Sequence, residues 1–153
     1  MDYCIMCIGK IKDSFYRERI LNVCREINRR KNQVEIIEFA DEKIPDRINE
    51  KGRNLILEKE GKPILEKIGK KDYVIALCVE GKEITTKQHI NIVMDAAERG
   101  YGRITYLIGG SLGLSEAVKR AANQRISFSK MTFPHQLMRM VLCEEIQHIT
   151  NYL

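Results

Sequence analysis

The stretch Y-L-I-G-G-S-L-G-L, Tyr106 to Leu114, decides how the chain is read. An apolar run turns abruptly into glycines, the pattern of a buried strand whose end must bend sharply. Gly109, Gly110 and Gly113 permit φ > 0 and the close approach of another group to bare backbone. Ser115 to Asn123 then reads as a short amphipathic helix. I-S-F-S-K-M-T-F-P-H-Q-L-M-R, Ile126 to Arg139, reads as a last strand end, a Pro-stopped loop and the start of a helix. His135 and Arg139 lie four apart on that helix and so share a face. A glycine turn and a polar loop beside strand ends predict a small-molecule pocket.

Outward from this stretch, Ile104 to Ile108 is the strand itself. Tyr73 to Val79 is a nearly continuous apolar strand, the kind buried on both faces of a parallel sheet. Glu80-Gly81-Lys82 reads as its exit turn, and Thr85 or Thr86 caps a helix that runs to Arg99 before Gly100. At the other end of the chain, Tyr3 to Ile8 is a buried first strand ending at Gly9. Asp13 or Ser14 caps a helix to about Arg30, with Ile20, Cys24 and Ile27 as its apolar stripe. Val34 to Phe39 alternates, a strand near an edge or with one face partly exposed. Arg47 to Ile68 is charged and helical, and Pro63 is expected to kink or split it. Pro134 opens a terminal helix to about Thr150.

Five strands alternating with helices predict a single three-layer α/β domain, residues 1–153, with a mostly parallel sheet. Connection rules alone draw an open, Rossmann-like sheet. Ligands in such sheets sit beyond the carboxyl ends of strands, so Leu77–Lys82, Gly109–Gly113 and Phe128–Phe133 are the segments that matter.

The totals exclude several classes. Lys and Arg number 26 against 21 acidic residues, a net +5 with a pI near 9.0. The charge is spread along the chain without a basic tail, which is compatible with a nucleic-acid partner but does not identify one. No uncharged run approaches the roughly 20 apolar residues of a membrane span, and Met1-Asp2-Tyr3 does not open a secretory signal. Five cysteines, an odd number lying mostly in apolar segments, point to a reducing cytoplasm. Cys4 and Cys7 form a C-x-x-C inside a strand, where residues three apart face opposite ways, so they are read as core thiols rather than metal ligands. His89, His135 and His148 show no metal-ligand spacing, and His89 is read as a surface helix residue. Cys78 and Cys143 have no His or Asp neighbour marking a nucleophile and are read as core. Ser111 lacks the G-x-S-x-G frame, and G-G-S-L-G is neither a dinucleotide fingerprint nor a P-loop. The residues by themselves describe an α/β domain with a ligand pocket.

Three segments occur together in one family: L-x-x-x-G-K at Leu77 to Lys82, L-I-G-G-x-x-G-L at Leu107 to Leu114, and F-S-K-M-T-F-P-H-Q-x-M-R at Phe128 to Arg139. With I-G-K at Ile8 to Lys10 and K-E-G at Lys59 to Gly61, the chain resembles the bacterial ribosomal RNA large-subunit methyltransferase H family over Tyr3 to about Ile146. That resemblance implies a SPOUT-class fold with a deep C-terminal trefoil knot, a homodimer, and S-adenosylmethionine bound in the knotted loops. It implies methylation of N3 of a pseudouridine in 23S rRNA on the assembled ribosome, without a metal. The cofactor positions it implies are Leu77, Gly109, Phe128, Ser129, Lys130, Met131, Thr132 and Phe133, with Gly109 bringing backbone close to the ligand. His135 is then a candidate base, and Arg139 a candidate for stabilising the acceptor anion or holding a phosphate. Leu137, Met138, Val141, Leu142 and Ile146 make the last helix the expected dimer face. The sequence departs from the family at Gln147 and His148, where Tyr-Arg is usual, and it runs to Leu153 without the G-x-P-Y-H-[K/R] ending. Two readings follow: an active methyltransferase, or a relative that binds the cofactor and serves as a ribosome-binding or assembly protein.

Overall fold

A computed structural model describes all 153 residues. The strands are β1 (Asp2–Ile8), β2 (Val34–Phe39), β3 (Asp72–Glu83), β4 (Arg103–Ile108) and β5 (Gln124–Ser127). The helices between and after them are α1 (Ser14–Asn28), α2 (Glu50–Lys67), α3 (Thr86–Glu98), α4 (Glu116–Ala121) and α5 (His135–Tyr152). Every strand pairing is parallel and the order is β2-β1-β4-β3-β5. The wholly parallel sheet and its alternation with helices match the sequence reading. The strand order differs from the Rossmann arrangement that connection rules alone would draw.

Side-chain alternation along the central strands builds the three layers. Tyr3, Ile5 and Cys7 of β1 pack with α1, α3 and α5 on one face. Cys4, Met6 and Ile8 pack with Ile64 of α2 and Val118 of α4 on the other. Cys4 and Cys7 therefore sit in different cores, as the strand geometry requires. Burial pushes their thiols up to about 11 and about 12, so neither is a thiolate at neutral pH. All five cysteines are unpaired. No helix is long and apolar enough to cross a membrane.

The helix starts are written in the sequence. Asp13 accepts from the Phe15 amide at 2.9 Å, Thr85 forms a capping box with Gln88, and Ser115 accepts from the Val118 amide at 3.1 Å. Two expectations fail. Pro63 does not split α2, which runs unbroken from Glu50 to Lys67. Pro63 is exposed, so the carbonyl it cannot serve is left on the water side of the helix. Glu80-Gly81-Lys82 is not an exit turn but part of β3. The pairing with β5 slips between Leu77 and Lys82, so Cys78 to Gly81 bulge out before the ladder resumes. Gly81 is required there, because a Cβ would lie 2.6 Å from the carbonyl carbon of Ile126.

Candidate functional site

At the carboxyl ends of β3, β4 and β5 the three motif segments enclose a cavity of about 390 Å³. The β3 bulge supplies Leu77 to Glu80, the Gly109–Gly113 turn supplies a second wall, and Phe128 with Met131 to Phe133 a third. His135, on the first turn of α5, reaches the same space. Of the eight cofactor positions implied by resemblance, Leu77, Gly109, Phe128, Met131, Thr132 and Phe133 line it. Ser129 and Lys130 do not. Ser129 instead shapes the loop: its carbonyl accepts from the Ser127 hydroxyl at 2.7 Å, and its own hydroxyl accepts from the Met131 amide at 3.0 Å. Lys130 points to solvent.

The glycine turn closes on itself. Gly113 has φ +83°, and its amide donates to the Gly110 carbonyl at 3.0 Å. A Cβ on Gly109 would stand 2.3 Å from the Gly113 carbonyl carbon. The turn folding back over Gly109 by itself requires a glycine there, independently of any ligand. Gly109→Ala should then cost about 1–3 kcal/mol through overpacking. Gly102→Ala, at a site with nothing within 4 Å and an ordinary φ, should stay within about 0.5 kcal/mol. Urea unfolding of the two variants tests this, and equal midpoints would refute the tight-turn account.

Beyond the cavity the turn is braced from α2 by the K-E-G segment. A Cβ on Gly61 would meet Ser115 Oγ and Val118 Cγ2, both at 2.8 Å, so only glycine lets α2 approach α4 this closely. Glu60, buried next to it, accepts from the Glu42 amide at 3.0 Å, and burial raises its pKa. On the cavity wall Lys119 pairs with Glu80 and Glu116. The hydrogen bond from Lys119 holds the Glu80 carboxyl below its usual range. Cys78 also lines the cavity and is only half-buried, so it is a wall residue rather than core.

Arg139 is the main correction to the site. Its side chain is 0% exposed, so it does not meet a phosphate or an acceptor base from this position. Nη2 donates to the carbonyls of Ile8 at 3.0 Å and Gly9 at 2.7 Å, while Nη1 donates to Glu38 at 2.8 Å. Arg139 therefore ties α5 to the carboxyl end of β1 and to β2. His89 is likewise not a surface residue. It is 1% exposed, with Nε2 2.7 Å from the Tyr106 hydroxyl and Nδ1 3.3 Å from Glu145. The His89 contact lowers the Glu145 pKa, and burial raises that of Tyr106. The apolar residues of α5 divide between two sides. Leu142 and Ile146 are buried in the protomer's own core with α1, whereas Val141 remains exposed and Leu137 half-buried.

Residues 1–150 match the family described as "Predicted SPOUT methyltransferase". The chain belongs to the SPOUT methyltransferases, in the ribosomal RNA large subunit methyltransferase H family. The proteins of that name from Streptococcus thermophilus and Streptococcus uberis are 46% and 44% identical to it over 142 residues, 93% of this chain and 89% of theirs. That from Streptococcus equi subsp. zooepidemicus is 40% identical over the same share. A methylase family protein of known structure from Neisseria gonorrhoeae superposes with a TM-score of 0.54 at 13% identity. The superposition covers 98% of this chain and 83% of that one, a likeness of fold.

Proposed function

We propose that this methyltransferase binds S-adenosylmethionine in the cavity at the strand ends and methylates N3 of a pseudouridine in 23S rRNA of the assembled ribosome, in the cytoplasm. The observation that carries the reading is the meeting of three family segments on one cavity with His135 in its wall. Its size and largely apolar walls suit a nucleoside with a short side chain. Leu77, Phe128 and Met131 would flank the adenine, and backbone groups of the Gly109–Gly113 and Phe128–Phe133 segments would read its edge.

The bound sulfonium supplies an already electrophilic methyl group. This chain's work is therefore to align the acceptor nitrogen and to take its proton as the N–CH3 bond forms and the sulfur becomes a thioether. His135, in the cavity wall, would receive that proton. Ser129 acts by shaping the loop, through its hydrogen bonds with Ser127 and Met131.

Two architectural features belong to the same reading. β5 lies at the sheet edge while α5 returns across the sheet to pack on α1, a path that suits a C-terminal trefoil knot around the Gly109–Gly113 segment. Exposed Met131 and Phe133 of the cavity wall, with exposed Val141 of α5, suit burial against a second copy, forming a homodimer.

One observation favours a second reading. Gln147 and His148 replace the usual Tyr-Arg pair, and His148 lies on the exposed side of α5 beside Glu145. Calorimetry with S-adenosylhomocysteine and transfer of labelled methyl groups to ribosomes from cells lacking the gene separate the two. Binding with transfer supports the enzyme. Binding without transfer supports the ribosome-binding or assembly protein, and absence of binding removes both.

A further inference from the structure

The I-G-K segment has no part in the cavity, yet the loop from Gly9 to Asp13 is held at almost every point. Gly9, with φ +91°, turns the chain off β1, and its carbonyl and that of Ile8 are gripped by the buried Arg139. Ile11 is a plug. Its side chain is buried, its amide donates to Glu38 at 2.9 Å, and its carbonyl accepts from Arg17. The Asp13 amide leans on Gln136 of α5 at 3.4 Å, next to His135. The end of β1 from which the loop departs borders the glycine turn, since a Cβ on Gly110 would lie 3.2 Å from Ile8 Cγ2.

Fixing Ile11 inward on both its backbone groups leaves Lys10 and Lys12, on either side of it, outward and exposed. Neither takes part in an ion pair. The two acidic side chains nearest in the loop's own network are already engaged, Glu38 by Arg139 and Asp13 by the α1 amide. A flexible lysine pair would be an ordinary solvated surface. Here the backbone carrying the two charges is preordered next to the turn that presents His135.

We infer that the Gly9–Asp13 loop is a phosphate-binding edge of the site, on which Lys10 and Lys12 receive the sugar-phosphate backbone of the RNA whose base enters the cavity. Arg139 is the positioning residue that sets this loop from beneath. The inference rests on the rRNA reading above and replaces Arg139 with two lysines as the RNA contacts. Phosphate contacts of this kind fix register without reading sequence, and each releases condensed counterions.

The test is the salt dependence of binding to ribosomes from cells lacking the gene. Lys10→Ala with Lys12→Ala should make the slope of log affinity against log salt shallower by about 1.4 to 1.8, the loss of two contacts. Affinity for S-adenosylhomocysteine should not change. Lys70→Ala with Lys71→Ala, exposed before β3 at the opposite end of the sheet, removes the same charge and should leave the slope as in the wild type. An unchanged slope in the loop variant, or an equal fall in both, overturns the inference in favour of diffuse attraction. If the wild type binds S-adenosylhomocysteine but not ribosomes, the RNA reading itself fails, a result distinct from either.

Discussion

Arg139→Met should destabilise the protein by about 3 kcal/mol or more. Methionine can fill much of the space but donates nothing, so a buried carbonyl, a half-buried one and part of a carboxylate lose their partners together. Each unsatisfied buried acceptor costs about 1–3 kcal/mol. Breaking one side of a buried ion pair costs about 3–5 kcal/mol in general. Glu38 is 35% exposed and can recover some hydration, which places the expectation toward the lower end. For a chain of this length the loss corresponds to roughly 6–12 °C in Tm. Urea unfolding gives the value, and Arg139→Met combined with Glu38→Gln should recover part of it, because the orphaned charge is gone. A loss below about 1 kcal/mol in the single variant would mean that Arg139 is not the anchor its bonds describe. The alternative role, direct contact with RNA, would leave stability unchanged.

The burial of Arg139 shows where the sequence was readable and where it was not. Spacing correctly says that His135 and Arg139 share a helical face, but it does not say what lies opposite that face. The missing signal is present in the chain: Arg139, Leu142, Cys143, Ile146 and Ile149 recur at helical spacing and are all buried. Arg139 belongs to the core stripe, whereas His135, one turn earlier, projects beyond the sheet to the cavity. His89 repeats the lesson, since it lies on the stripe continued by Val93 and Ala96. A charged or titratable residue on an apolar stripe should be given buried partners before a ligand. The strands and caps were readable because apolar runs, Asp13, Thr85 and Ser115 act locally. The strand order, the β3 bulge and the contact between Gly109 and Gly113 depend on distant backbone, to which periodicity is blind. Pro63 misled for the converse reason: its cost depends on whether the freed carbonyl faces water, and here the helix turns it outward.

His135→Ala should slow methyl transfer by about 10² to 10⁴, the usual worth of a positioned general base. Affinity for S-adenosylhomocysteine should remain within about threefold, because the imidazole is one wall among many and the product analogue presents no proton to accept. The helix start should survive as well. Its N-cap is Pro134 with no side-chain cap bond, while Gln136 and Arg139 make the contacts that hold the first turn. Activity and stability therefore separate at position 135 and coincide at position 139. The measurement is single-turnover transfer of labelled methyl groups to ribosomes from cells lacking the gene, repeated across pH. Without the imidazole, the N3 proton must leave to solvent, so the variant's rate should climb with pH and close part of the gap to the wild type under alkaline conditions. A wild-type rate at neutral pH in His135→Ala would exclude the imidazole as base. A large deficit that persists unchanged at high pH would instead assign His135 to holding the acceptor base in line with the methyl group.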